Sequence, residues 1–106
     1  MEAAEASIRV EALHLHVENY LIDCEIEGHS ERTVEVCRLI TGKLLWWLNR
    51  EERAVCGLAE LRQFFVYLHR AHKGPAGRWD NPHLKRPLRP AAMRNYHKHL
   101  RVLFGW

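Results

Sequence analysis

From Leu13 to Phe104 the apolar residues recur every three or four positions, in four stretches divided by glycine- or proline-bearing breaks. That period marks helices with one buried face, and no convincing strand accompanies it. The first stretch predicts a helix over about 13–27, with Leu13, Val17, Tyr20, Leu21 and Cys24 inward and Gly28 as its stop. Residues 8–17 also alternate in part with period two, so the segment 1–12 is expected to be flexible or extended, with 1–7 frayed. The second helix is expected over 31–50. Ser30 is suited to cap it, and Glu31 in its first turn offsets the helix dipole. Val34, Cys37, Thr41, Leu44 and Leu48 form its apolar stripe; of the adjacent Trp46 and Trp47, Trp46 belongs at the edge.

Residues 51–57 connect to a third helix over 58–72, with Leu58, Leu61, Phe64, Phe65 and Leu68 inward. The stretch 73–89 holds three of the four prolines. It is long for a link between helices, and such loops are often functional or mobile. Pro90 suits the first position of a fourth helix over 90–104, whose inward residues are Met93, Tyr96, Leu100, Leu103 and Phe104. Four amphipathic helices in 106 residues predict one all-α domain, a compact four-helix bundle over 13–106.

Charge divides the chain unevenly. Residues 1–60 carry six Lys/Arg against twelve Asp/Glu, whereas residues 61–106 carry ten against one, Asp80. A basic stretch of this length with a single acid, and none after Asp80, points to a polyanionic partner. No run of apolar residues is long enough to span a bilayer, and Met1 to Ser7 lack the basic start of a secretory leader. The three cysteines, Cys24, Cys37 and Cys56, are odd in number and lack a C-x-x-C spacing. Free thiols in a reducing, cytoplasmic compartment are expected, with Cys24 and Cys37 as core fillers.

Catalysis is the weaker reading, because no nucleophile stands beside a base. Tyr20, Tyr67 and Tyr96 fall on or near apolar stripes, and Ser30, Thr33 and Thr41 are explained by a helix start or a core face. Among the eight histidines, His69 and His72 share one helix and His97 and His99 another, but no cysteine lies near either pair. No metal or other cofactor is expected. The histidines are assigned to polar surface, where they add positive charge below about pH 6.5.

The fourth helix carries the stronger signal. Arg94, Lys98 and Arg101 recur at i, i+4, i+7 beside the apolar stripe, with Asn95 close by and Lys85, Arg86 and Arg89 just before the helix. A helix with one buried and one basic face fits a major groove, where Arg or Lys reads guanine and Asn reads adenine. Its N-terminus and its cations also suit phosphate. The alternative is a helical protein-interaction module, using the acidic half or the tryptophan-bearing faces, with no nucleic-acid role.

The order of motifs resembles one family. Gly28-His29-Ser30-Glu31-Arg32-Thr33 resembles the "G-x-S-x-x-T" that opens the second helix of the core-binding domain of tyrosine recombinases, the phage integrases. Leu44, Leu45, Trp47 and Leu48 fall where that family has "F-L-x-F-L", and Leu61, Phe64 and Leu68 resemble its third helix. Leu100-Arg101-Val102-Leu103-Phe104-Gly105-Trp106 looks like its closing "L-R-x-F-F-x-W". Three departures stand out: Ala92 where Thr is usual, Cys37 where Tyr is common, and a longer loop over 73–89.

The resemblance implies an orthogonal, SAM-like bundle that forms half of a clamp on double-stranded DNA, in DNA integration and recombination. It places Arg32, Thr33 and Glu35/Val36 of the second helix, and Arg94, Asn95 and Lys98 of the fourth, at the major groove. Arg38 and Lys43 come second in rank. It also implies self-association of protomers on DNA, the first helix being one candidate surface, and association with the nucleoid. The family's catalytic residues, its tyrosine nucleophile among them, lie in a following domain. By this reading the segment to Trp106 binds DNA and does not cut it.

Overall fold

Ser30 starts the longest helix as its position requires: its Oγ accepts the Thr33 amide at 3.1 Å. The computed structural model describes residues 7–105. Within them lie β1 (Ser7–Arg9), α1 (Val10–Ile26), α2 (Glu31–Arg50), β2 (Val55–Gly57), α3 (Leu58–His69), a 3-10 turn (Arg78–Asp80) and α4 (Pro90–Phe104). The fold is mostly helical, with four α-helices and one small two-stranded sheet among the described residues.

The expected stripes converge on one core. Leu13 and Val17 of α1, Leu44 and Leu48 of α2, Leu61, Phe64 and Leu68 of α3, and Tyr96, Leu100 and Leu103 of α4 are all buried in a single cluster. Removing an apolar side chain of this size from water contributes roughly 1.5–3 kcal/mol. Phe64 has no exposed surface and meets Trp47, Tyr96 and Trp79 at ring-centroid distances of 5.5, 6.0 and 6.2 Å. Trp47 turns inward and Trp46 lies half-buried at the edge, as their adjacency on α2 requires. Ile40 and Cys56 join the core although neither was singled out above. A smaller cluster of Cys24, Val34 and Cys37 closes the α1–α2 end.

Several expectations are corrected, the absence of strands first. A strand pair does exist: β1 runs antiparallel to β2, with Ser7 opposite Gly57, Ile8 opposite Cys56 and Arg9 opposite Val55. Three-residue strands carry too short a pattern to register as a period, and their partner lies about 50 residues away in sequence. The pairing also moves the start of α1 forward to Val10, whose amide donates to Ala54 O at 2.9 Å. Residues 1–6 and 106 lie outside the described residues, so the expected fraying over 1–7 is not described at its first six positions.

The third helix ends at His69 rather than 72. Arg70 is extended, and the His72 amide donates instead to Lys85 O at 2.8 Å. This bond closes the long loop onto itself. Leu88 N donates to Leu68 O and Trp79 N to the Tyr67 hydroxyl. Trp79 sits edge-on against Trp46 with ring centroids 5.7 Å apart. The segment 73–89 is therefore anchored on α2 and α3 through Trp79 and Leu88, while most of its residues stay exposed. Gly77 makes its tight turn possible, since a Cβ there would fall 2.0 Å from Asn81 O and 2.6 Å from Leu84 O.

Candidate nucleic-acid interface

The geometry of α4 follows from its wheel. Tyr96, Leu100 and Leu103 face the core, so Arg94, Lys98 and Arg101 fall within an arc of roughly 60° on the opposite side. All three are exposed and line one open groove with His97, Val102 and Gly105. None of them makes an ion pair with a described residue, where the pairs are Arg9–Glu11, His29–Glu27 and Arg50–Asp80. Their charge is thus free to act on a partner.

The remaining predicted residues divide among other surfaces. Lys85, Arg86 and Arg89 line a second groove with Arg78, His83 and Ala92, at the start of α4. Lys85 is partly engaged, because its Nζ donates to Gly74 O at 2.7 Å. Arg38 and Lys43 line a third groove with Leu39, Gly42, Trp46 and Trp79. Lys43 rests over the Trp79 ring at 4.9 Å from its centroid. Arg32 is exposed in the first turn of α2, and Thr33 is half-buried there, its Oγ1 accepting from Ser30 Oγ. Glu35 is exposed and Val36 half-buried. Asn95 is exposed on α4 between the basic row and His99, and is not among the residues that line the first groove.

Helices α2 and α4 meet through a buried polar contact. Cys37 Sγ lies 3.3 Å from His99 Nδ1 and 3.6 Å from the Tyr20 hydroxyl. Burial, with Lys98 adding to it, holds His99 below the usual histidine range. His99 is therefore not the polar-surface, readily charged histidine expected from sequence. It sits at the edge of the buried arc, beside Leu103, where contact with Cys37 of α2 covers it. Three other histidines also make particular contacts, while His14, His69 and His83 are exposed. His97 stacks on Phe65 at 4.1 Å, His72 bonds to Tyr67 O, and His16 Nε2 reaches Leu103 O at 2.8 Å near the end of α4. Among the described residues no three His, Cys, Asp or Glu side chains gather into a metal-holding group.

Two features were missed in sequence. Arg78 is buried, 7% exposed, and its Nη1 donates to Arg86 O at 2.7 Å. A lone arginine in a basic loop carries no sequence mark of burial, because its position depends on the turn around it. The second feature is an apolar stripe on the outer face of α1, where Leu15, Ile22 and Ile26 are exposed at i, i+7, i+11. Among the described residues no helix is long and apolar enough to cross a membrane. Comparison with protein-family models, with curated proteins and with solved structures finds no match to this chain.

Proposed function

We propose that this chain is a DNA-binding domain of the core-binding type found in tyrosine recombinases, gripping duplex DNA through α2 and α4 during integration and recombination. The observation that carries this reading is the row Arg94, Lys98 and Arg101, exposed along one groove opposite the core and without an acidic partner among the described residues. Such a row supplies phosphate contacts and, with Asn95, groups able to read base edges. Arg32 and Arg38, exposed on α2, supply the second half of the grip. The buried Cys37–His99 contact supports a fixed spacing between the two helices. On this reading the four helices form the orthogonal, SAM-like bundle, and cleavage belongs to a catalytic domain outside this segment.

The outer stripe of α1 supports a second element. Leu15, Ile22 and Ile26 form an apolar row flanked by Glu11, Glu18 and Glu25, which suits a protein surface and not a phosphate backbone. Self-association of protomers on DNA would use this row. A protein-interaction module without DNA would use it too.

Fluorescence anisotropy with a labelled duplex at two or more salt concentrations separates these readings. If about 4–6 phosphates are neutralised, log K falls against log salt with a slope of roughly −4 to −5. Absence of duplex binding at low salt would overturn the DNA reading for this domain and leave the interaction module.

A further inference from the structure

The groove at the start of α4 has the makings of a discrete anion seat, and three independent observations converge on it. The first is the helix end itself. Arg89 makes no side-chain cap, Pro90 has no amide hydrogen, and the first turn holds no acid. The early amides therefore lack an intrahelical acceptor, and the positive end of the dipole is not offset. The Met93 amide is already used, donating to Arg89 O at 2.9 Å, which leaves those of Ala91 and Ala92.

The second observation is the wall. Lys85, Arg86 and Arg89 line this groove of about 420 Å³, and no acid does. The third is Arg78. It is more than nine-tenths buried, it lines the same groove, and its Nε has no hydrogen-bond partner among the described residues. A guanidinium is charged at every working pH, and leaving one of its donors unpaired in a buried position is costly. The fold nonetheless holds it there. Trp79 and Asp80, which follow Arg78, both stand in the left-handed region at φ 61° and 56°, and Gly77 admits no side chain. Backbone held in that region commonly marks a functional position.

We propose that this groove binds one phosphoryl group, seated on the first-turn amides of α4 and held by Arg78 from below and by Arg86 and Arg89 from the rim. The phosphoryl group is either a backbone phosphate of nucleic acid or the phosphate of a free small molecule, since both offer the same oxygens to the same donors. The seat does not depend on the recombinase reading. The loop that builds it is the one in which this chain departs from that family.

The test uses the whole chain and inorganic phosphate as the probe. Phosphate should raise the thermal midpoint, by about 5 °C once it exceeds its Kd severalfold and logarithmically with concentration beyond that, more than chloride achieves at equal ionic strength. Ala92→Asp places a carboxylate over the same amides. It should raise or preserve the midpoint without phosphate and abolish the phosphate response. Arg78→Met should abolish the response as well, with its far-ultraviolet circular dichroism confirming the fold. A midpoint that follows chloride and phosphate equally would overturn the proposal, as would an undiminished response in Ala92→Asp. Competition then assigns the source. If phosphate displaces labelled duplex at fixed ionic strength, the seat belongs to the DNA backbone; if duplex binding is unmoved, it belongs to a free phosphorylated ligand, and both results uphold the seat. If duplex binding is absent altogether, the DNA reading falls while the phosphate-dependent midpoint still decides this one.

Discussion

Cys37 Sγ and His99 Nδ1 lie 3.3 Å apart, and this buried pair ties the second helix to the fourth. Burial, assisted by Lys98, disfavours the charged imidazole. In the unfolded chain His99 titrates near the ordinary value of about 6.5. Above that pH neither state is protonated and the contribution of His99 is complete. As pH falls below it, the unfolded chain takes up a proton that folded His99 resists, and stability drops until the depressed folded value is passed. The loss is at most about 1.4 kcal/mol per pH unit for one proton. Urea unfolding at pH 7.5 and 5.5 should show this loss, and His99→Gln should lose less over the same range. An identical pH dependence in the variant would exclude His99 as the cause.

The proposed role of α4 makes a prediction about charge rather than shape. Arg94→Ala and Lys98→Ala remove exposed cations opposite the core, so helicity and unfolding midpoint should stay near the parent values. Each should weaken duplex binding and flatten the salt slope by about one unit. Parent-like affinity and slope in the double variant would remove α4 from the interface.

Two glycines should respond in opposite directions. Gly42 lies mid-helix in α2, and a Cβ there would meet nothing within 4 Å. Gly42→Ala should therefore stabilise the chain by roughly 0.5–1 kcal/mol. Gly77→Ala drives a methyl into the carbonyls of Asn81 and Leu84 and should cost about 2 kcal/mol or more. Chemical denaturation reads both changes. The Gly77 variant should also become sensitive to proteolysis between residues 70 and 89.

All three thiols are buried. Burial pushes the Cys56 thiol up to about 12 and raises that of Cys24. Both are protonated at neutral pH, and thiol attack requires the thiolate. At pH 7.5 a disulfide reagent such as Ellman's should label the native chain very slowly and label three thiols after unfolding. Rapid labelling of the folded protein would show that the α1–α2 end opens more readily than its packing implies.

Much of the architecture was legible because helices announce themselves locally. Leu13, Val17 and Cys24 lie inward on α1 as their spacing requires, Ser30 caps α2, and Pro90 opens α4. The strand pair was not legible, since Ile8 and Cys56 are far apart in sequence and three-residue strands carry too short a pattern. The basic row on α4 was visible because its residues share one helix. The groove at the start of that helix was visible only in part: Lys85, Arg86 and Arg89 stood out by charge, while Arg78 did not.

The sequence alone determined four helices, their inward faces, and a basic fourth helix, because helical period and charge are properties of neighbours in the chain. Tertiary structure decided that 73–89 is anchored on α2 and α3, that His99 and Arg78 are buried, and that Lys43 rests on Trp79. These depend on contacts between distant segments, where burial is set by what covers a residue rather than by the residue itself.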